Sequence, residues 1–155
     1  MGIFSGKISA EFTPPKTWVL NRDLSFTTDK LTPSDGEILE LVGANIEINN
    51  NVEITCEEGM KTDLASVPRI CWAFIAPWDV ARAAVIHDHL YATLREYYNI
   101  GGIDKKIWKK ARAISDKVFL LGMHSAEPAV PAWKKYAAYY SVRVCGRGPA
   151  SKNAD

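Results

Sequence analysis

The chain has 155 residues and 17.2 kDa, 47% of them apolar and 24% charged. These are the proportions of a soluble globular domain, and they exclude wholesale disorder, a collagen-like repeat and a disulfide-dense miniprotein. The formal net charge of +1 argues against a dedicated nucleic-acid binder, which carries a strong basic excess.

The first sixty residues read as β. Lys7–Thr13 alternates and stops at Pro14-Pro15. Trp18–Phe26 carries Trp18, Leu20, Leu24 and Phe26 as its apolar members. Ile38–Val42 and Asn45–Cys56 follow, with Asn49-Asn50-Asn51 marking a turn or bulge in the last. Short strands in this order imply an antiparallel sheet or a small open barrel.

From Pro68 the period becomes helical. Pro77-Trp78-Asp79 predicts a helix start with Asp79 as the cap, running through Val80–Tyr97 until Gly101-Gly102 breaks it. Asp104 caps a second predicted helix to about Met123, with the apolar row Ile107, Ala111, Ile114, Val118 and Leu121. A third opens near Pro131 and ends at Gly146-Arg147-Gly148-Pro149, ahead of a tail expected to fray. The expected fold class is α+β: an N-terminal antiparallel sheet of about four strands, then a three-helix C-terminal half. Within one domain, this gives a β-rich part (1–61), a connecting loop and short helix (62–78), a helical part (79–146) and a tail (147–155).

Cys56, Cys71 and Cys145 are too scattered for a disulfide framework or a CxxC zinc site, and suit a reducing compartment. The start, Met1–Gly6, has no apolar signal-peptide core and no Ser or Thr at the sixth position for myristoylation. No apolar run reaches the length of a membrane span. Charge is uneven. Residues 1–100 carry 8 basic and 14 acidic side chains, and residues 101–155 carry 11 basic and 4 acidic. Lys105, Lys106, Lys109, Lys110 and Arg112 make up much of the basic excess, either as a solvated helix face or as a patch for an anionic surface.

The chemistry-bearing signal is His87-Asp88-His89-Leu90-Tyr91, which follows the apolar run Ala83–Ile86. Helical spacing puts His87 and Tyr91 on one face and Asp88 on an adjoining strip. A His-Asp pair near the core is costly unless partnered. Asp116 on the next helix supplies a partner if the two helices pack antiparallel across Gly101-Gly102. A carboxylate on one ring nitrogen fixes the tautomer, so His87 would take a proton from water with Asp88 holding a cation. The plainer reading is a buried network of His87, Asp88, Tyr91 and Asp116 that fixes helix packing, or an exposed pair of Asp116 with Arg112.

A second segment, Thr62-Asp63-Leu64-Ala65-Ser66-Val67-Pro68-Arg69, sits where strands give way to helices. Asp63 and Ser66 suit capping and Arg69 suits a carboxylate clamp. As a functional loop, with Thr62, it would offer ligands facing His87. A zinc set of His87, His89, His124 and Asp63 has no supporting spacing. Trp133, Tyr136, Tyr139 and Tyr140 beside Lys134 and Lys135 suit either a core-plus-rim helix or a surface that meets a membrane interface or nucleic acid.

Together, Thr62–Arg69, Ala83–Tyr91 and Ser115-Asp116-Lys117-Val118-Phe119 resemble a phage and prophage family of uncharacterised proteins, domain of unknown function 1353. The resemblance implies a bacteriophage gene product made in the host cytoplasm. The helical half is also similar to the catalytic core of phospholipase A2, with His-Asp-x-x-Tyr on one helix and Asp ahead of x-x-Phe on the next. That likeness implies His87 as base, Asp88 as calcium ligand, Tyr91 as supporting hydroxyl and Asp116 as the carboxylate orienting His87. The Gly-rich calcium loop of that family is absent, with Thr62–Arg69 in its place.

Two functions are therefore expected. The first is a virion or assembly accessory protein, needing no cofactor and docking to other phage structural proteins or to itself. The alternative is a phospholipase A2-like hydrolase using calcium or another divalent cation, with Asp88 and Asp63 as metal ligands, on host membrane phospholipid. In that alternative Lys105–Arg112 faces the bilayer.

Overall fold

The computed structural model describes residues 2–13, 17–62, 80–101, 103–126 and 129–151. The chain is a mixed α+β fold. Two antiparallel sheets occupy the N-terminal half and helices the C-terminal half.

Strands β1 (Gly2–Phe4), β4 (Leu24–Thr28), β5 (Ile46–Ile48) and β6 (Val52–Cys56) form a sheet in the order β1-β4-β6-β5. Strands β2 (Ala10–Thr13), β3 (Thr17–Leu20) and β7 (Lys61–Thr62) form a second, in the order β2-β3-β7. The segment Trp18–Phe26 is thus two strands rather than one. The chain leaves the smaller sheet at Leu20, bends through Asn21 and Arg22, and enters the larger at Leu24. Asp23 fixes the corner by accepting a hydrogen bond from the Glu58 amide at 2.7 Å. Beyond it, Leu24, Phe26 and Thr28 on β4 and Val52, Ile54 and Cys56 on β6 all turn to the buried face, the period-2 pattern of a half-buried sheet. The turn expected at Asn49–Asn51 joins β5 to β6, with Ile48 opposite Val52.

Ile38–Val42, expected as a strand, lies instead at the end of helix α1 (Pro33–Leu41). Thr32 accepts from the Asp35 amide at 3.1 Å, and Asp35 accepts from the Thr32 amide at 3.0 Å. This reciprocal cap, with Pro33 in the first turn, starts a helix that five apolar-leaning residues could not reveal. Leu39 and Val42, three apart, are buried, whereas Leu41 is exposed.

Helices α2 (Ala81–Ile100) and α3 (Lys105–His124) run antiparallel. Ala83 lies against Gly122, His87 against Asp116, and Tyr98 against Trp108. Asp104 caps α3 as expected, accepting from the Lys106 and Ile107 amides at 2.8 and 3.3 Å. The cap expected at Asp79 and the short helix at Pro68 lie outside the described residues. A β-carbon on Gly122 would meet that of Ala83 at 2.8 Å, so glycine sets the close approach of the two helices at that end.

Helix α4 (Ala132–Cys145) packs on α3, and the expected tail opens with a short helix, α5 (Arg147–Ser151), docked on α2. Arg95 donates to the Pro149 carbonyl at 2.9 Å and Trp108 Nε1 to that of Ala150 at 3.3 Å. The core lies between the larger sheet and α2, with α1, α3 and α5 closing around it. A second cluster joins α2, α3 and α4 through Ala84, Phe119, Met123, Ala138 and Val142. Among the described residues, no helix is long and apolar enough to cross a membrane.

Candidate active site

Helix α2 carries an unbroken buried run from Ala83 to Asp88, so a side chain at position 87 has no solvent to turn to. His87 meets Asp116 across the hairpin. The Nε2–Oδ1 distance is 2.8 Å and both side chains are 0% exposed. One turn further along α2, the Tyr91 hydroxyl donates to the same oxygen at 2.6 Å. The Tyr91 ring lies beside that of His87, and Phe119 meets the imidazole edge-on with centroids 4.9 Å apart.

Arg143 on α4 completes the network by donating to Asp116 Oδ2 at 2.7 Å. The sequence reading missed this residue. A lone cation between Val142 and Val144, on a helix otherwise packed against the one bearing Asp116, is the signal that pointed to it. Burial works against the charge of Asp116. The hydrogen bond and charge of His87, then the bonds from Tyr91 and Arg143, outweigh it and hold the carboxyl below its usual range. Burial and the charge of Asp116 together push the Tyr91 phenol up, so it stays a hydrogen-bond donor.

The expected exposed pair of Asp116 with Arg112 does not form. Asp116 is buried, and Arg112 donates to the carbonyls of Val142 and Arg143 at the end of α4. Arg112 thus turns inward to satisfy helix-terminal acceptors, leaving Lys105, Lys106, Lys109 and Lys110 as the exposed members of that basic group.

Asp88, 5% exposed, points away to β7, where the Thr62 hydroxyl donates to its Oδ2. Asp63, Ser66 and Arg69 of the motif loop lie outside the described residues. His89 stands apart from His87 and lines a cavity of about 350 Å³ with Gly43, Asn45, Glu57, Glu58 and Met60. Its buried Nε2 has no hydrogen-bond partner among the described residues. Burial lowers its pKa against the opposing charge of Asp88. His124 sits at the end of α3 against Tyr136. Among the described residues, no three His, Cys, Asp or Glu side chains converge on a metal position, so the structure does not bring His87, His89 and His124 together.

The arrangement can hold an imidazole in one tautomer, because an oriented, anionic carboxylate sits on one ring nitrogen. It can equally lock three helices. No curated protein and no solved structure matches the chain. A family model described as a protein of unknown function matches residues 42–142, which span the β5–β6 hairpin of the larger sheet and the network residues His87, Tyr91 and Asp116, and stop one residue short of Arg143. The chain belongs to that family, DUF1353.

Proposed function

We propose that the protein is a hydrolase in which His87 is the general base and a phospholipid ester the substrate class. The observation that carries this reading is the convergence of His87 Nε2 and the Tyr91 hydroxyl on Asp116 Oδ1, at 2.8 and 2.6 Å. A carboxylate accepting from Nε2 assigns the ring hydrogen to that nitrogen and the basic lone pair to Nδ1. Where the surrounding chain parts to admit water and substrate to the buried ring, Nδ1 takes a proton from the water as the water oxygen attacks the acyl carbonyl. The tetrahedral intermediate expels the alkoxide, the acyl C–O bond breaks, and the imidazolium returns its proton to the leaving oxygen. Asp116 stabilises the imidazolium throughout and takes no proton itself. Arg143 and Tyr91 position Asp116.

The likeness of His87, Asp88, Tyr91 and Asp116 to the phospholipase A2 pattern supports lipid ester as the substrate. Calcium is a different matter. Asp88 and Thr62 supply two oxygen-bearing side chains, already bonded to each other, whereas calcium takes roughly six to eight oxygen ligands. The described residues do not fit that ion.

The purified protein is expected to release fatty acid from vesicles of phosphatidylcholine and phosphatidylglycerol, assayed with and without calcium. His87→Asn is expected to remove at least about 100-fold of the rate, the usual worth of a positioned base, while keeping the native circular dichroism. Vesicles that stay intact at high protein concentration under both conditions end the reading.

The complete burial of His87 and Asp116 favours a second reading. In it, the network is architecture in a phage virion or assembly accessory protein that docks to other phage proteins or to itself. That protein would be present stoichiometrically in purified particles, and its deletion would stall assembly. Normal infectious particles from the deletion overturn it.

A further inference from the structure

Helix α4 buries one row of side chains and displays another. Ala138 and Val142 are fully buried among Phe119, Met123 and Val130. Trp133, Tyr136, Tyr140 and Val144 lie three, four and four residues apart, which puts them on one helical strip, and they are 63%, 43%, 61% and 80% exposed. The inner row carries the packing against α3, to which Tyr136 adds a contact with His124, and the exposed area that the strip still displays is more than this packing requires.

The chemistry of this strip is specific. Three of its four residues are Trp and Tyr, with an apolar body and a polar tip. The Lys134 ammonium lies 5.6 Å from the centre of the Trp133 ring. Residues 132–145 contain three basic side chains and no Asp or Glu. The acid that α3 turns towards α4, Asp116, is buried and bonded by Arg143, so it offers no charge at the surface.

We propose that this face of α4 docks on an anionic phospholipid surface, with the helix lying along the headgroup layer. Positive charge beside the rings matches negative headgroups, and aromatic residues with polar tips suit the boundary between water and hydrocarbon. A second copy of the chain fits less well, because a two-fold pairing of one patch with itself brings Lys134 against its own counterpart. A nucleic acid would use the rings and the lysines but has no use for Val144, the most exposed of the four. At 14 residues, α4 is about 21 Å long, so it rests on a membrane and does not span one.

This docking goes beyond the hydrolytic reading and stands without it. The test therefore uses vesicles of ether-linked phosphatidylcholine and phosphatidylglycerol, whose chains an esterase cannot release. The full chain is expected to co-sediment with them in proportion to the phosphatidylglycerol fraction, and to be released by 0.5 M salt at low anionic content. Trp133→Ser with Tyr140→Ser is expected to weaken binding at least about tenfold. Lys134→Glu, which leaves the rings in place, is expected to weaken it at least about fivefold, since each basic group near an anionic surface is worth about that factor. Melting curves that match the parent chain show that both variants fold.

Absence of co-sedimentation at every anionic fraction overturns the proposal, as does binding by both variants equal to that of the parent chain. A dimer in solution that the serine variant converts to monomer assigns the face to self-association instead. Tighter, variant-sensitive binding to duplex DNA or single-stranded RNA than to vesicles assigns it to nucleic acid. Failure of vesicle hydrolysis with docking intact removes the enzyme and leaves the membrane surface.

Discussion

Replacing Asp116 by asparagine removes one charge and almost no volume, so it probes the network directly. The carboxylate accepts three bonds, two of them, from His87 and Tyr91, on one fully buried oxygen. An amide carbonyl can keep both, but as neutral acceptors, which costs about 1 kcal/mol for each. The amide nitrogen then faces the Arg143 guanidinium, donor against donor. That side chain is 31% exposed, so its lost bond is screened and costs about 1 kcal/mol at most. The expected loss is about 3 kcal/mol, at the lower edge of what breaking a buried charge pair costs.

Urea unfolding followed by far-ultraviolet circular dichroism at pH 7 reads this as a midpoint lowered by about 1.5 M, taking a slope of roughly 2 kcal/mol/M. The pH dependence supplies the sign. Asp116 has a folded-state pKa below its unfolded value, so its contribution is fully present above the ordinary carboxylate value of about 4. It is lost as pH falls through the lower folded value. The gap between parent and Asp116→Asn is therefore expected to hold from pH 7 to 5 and to narrow below about 4. A midpoint shift under 0.3 M at pH 7, or a gap that widens in acid, would refute the account of Asp116 as the charged centre of the fold.

Further expectations follow from single contacts. Gly122→Ala drives a methyl to 2.8 Å from the Ala83 β-carbon and is expected to cost about 1–3 kcal/mol by overpacking; an unchanged melting temperature would contradict the close helix approach. Thr32→Ala removes one half of the α1 cap and is expected to cost about 1 kcal/mol in urea unfolding. Burial, and then the charge of Asp88, push the Cys56 thiol up, whereas Cys145 is exposed. Iodoacetamide at pH 8 is expected to label Cys145 within minutes and Cys56 only after unfolding, as peptide mass mapping would show. Burial lowers the folded pKa of His89 below its unfolded value, so that contribution is lost as pH falls from about 6.5. His89→Gln is expected to flatten the stability profile between pH 7 and 5 relative to the parent chain.

The helical hairpin was legible because its signals are local and redundant. The Asp104 cap, the glycine break and an apolar row at spacings of three and four all agree, and they bring His87 and Asp116 into register. The elements that escaped depend on partners far along the chain. Strand β1 is three residues long and exists because it pairs with β4; strand β7 has two residues and pairs with β3. Helix α1 was masked by a short apolar alternation, although Thr32-Pro33-Ser34-Asp35 carried its start. Arg143 and Arg112 escaped for a different reason. A cation near an acid in sequence suggests a surface pair, and only tertiary packing reveals which carboxylate is sealed and which guanidinium turns to carbonyls.

Phe4, on the first strand, lies under the Arg82 guanidinium at 4.7 Å and within reach of the Gly122 position. Strand β1 is thus seated by parts of α2 and α3 that lie far along the chain. A nascent chain carrying only the β-rich half has nothing to close over Phe4 or Phe26 and must wait, with those rings exposed, until α3 has emerged. Closure over these rings is accordingly a long-range step, and the unfinished half is the species a chaperone would meet.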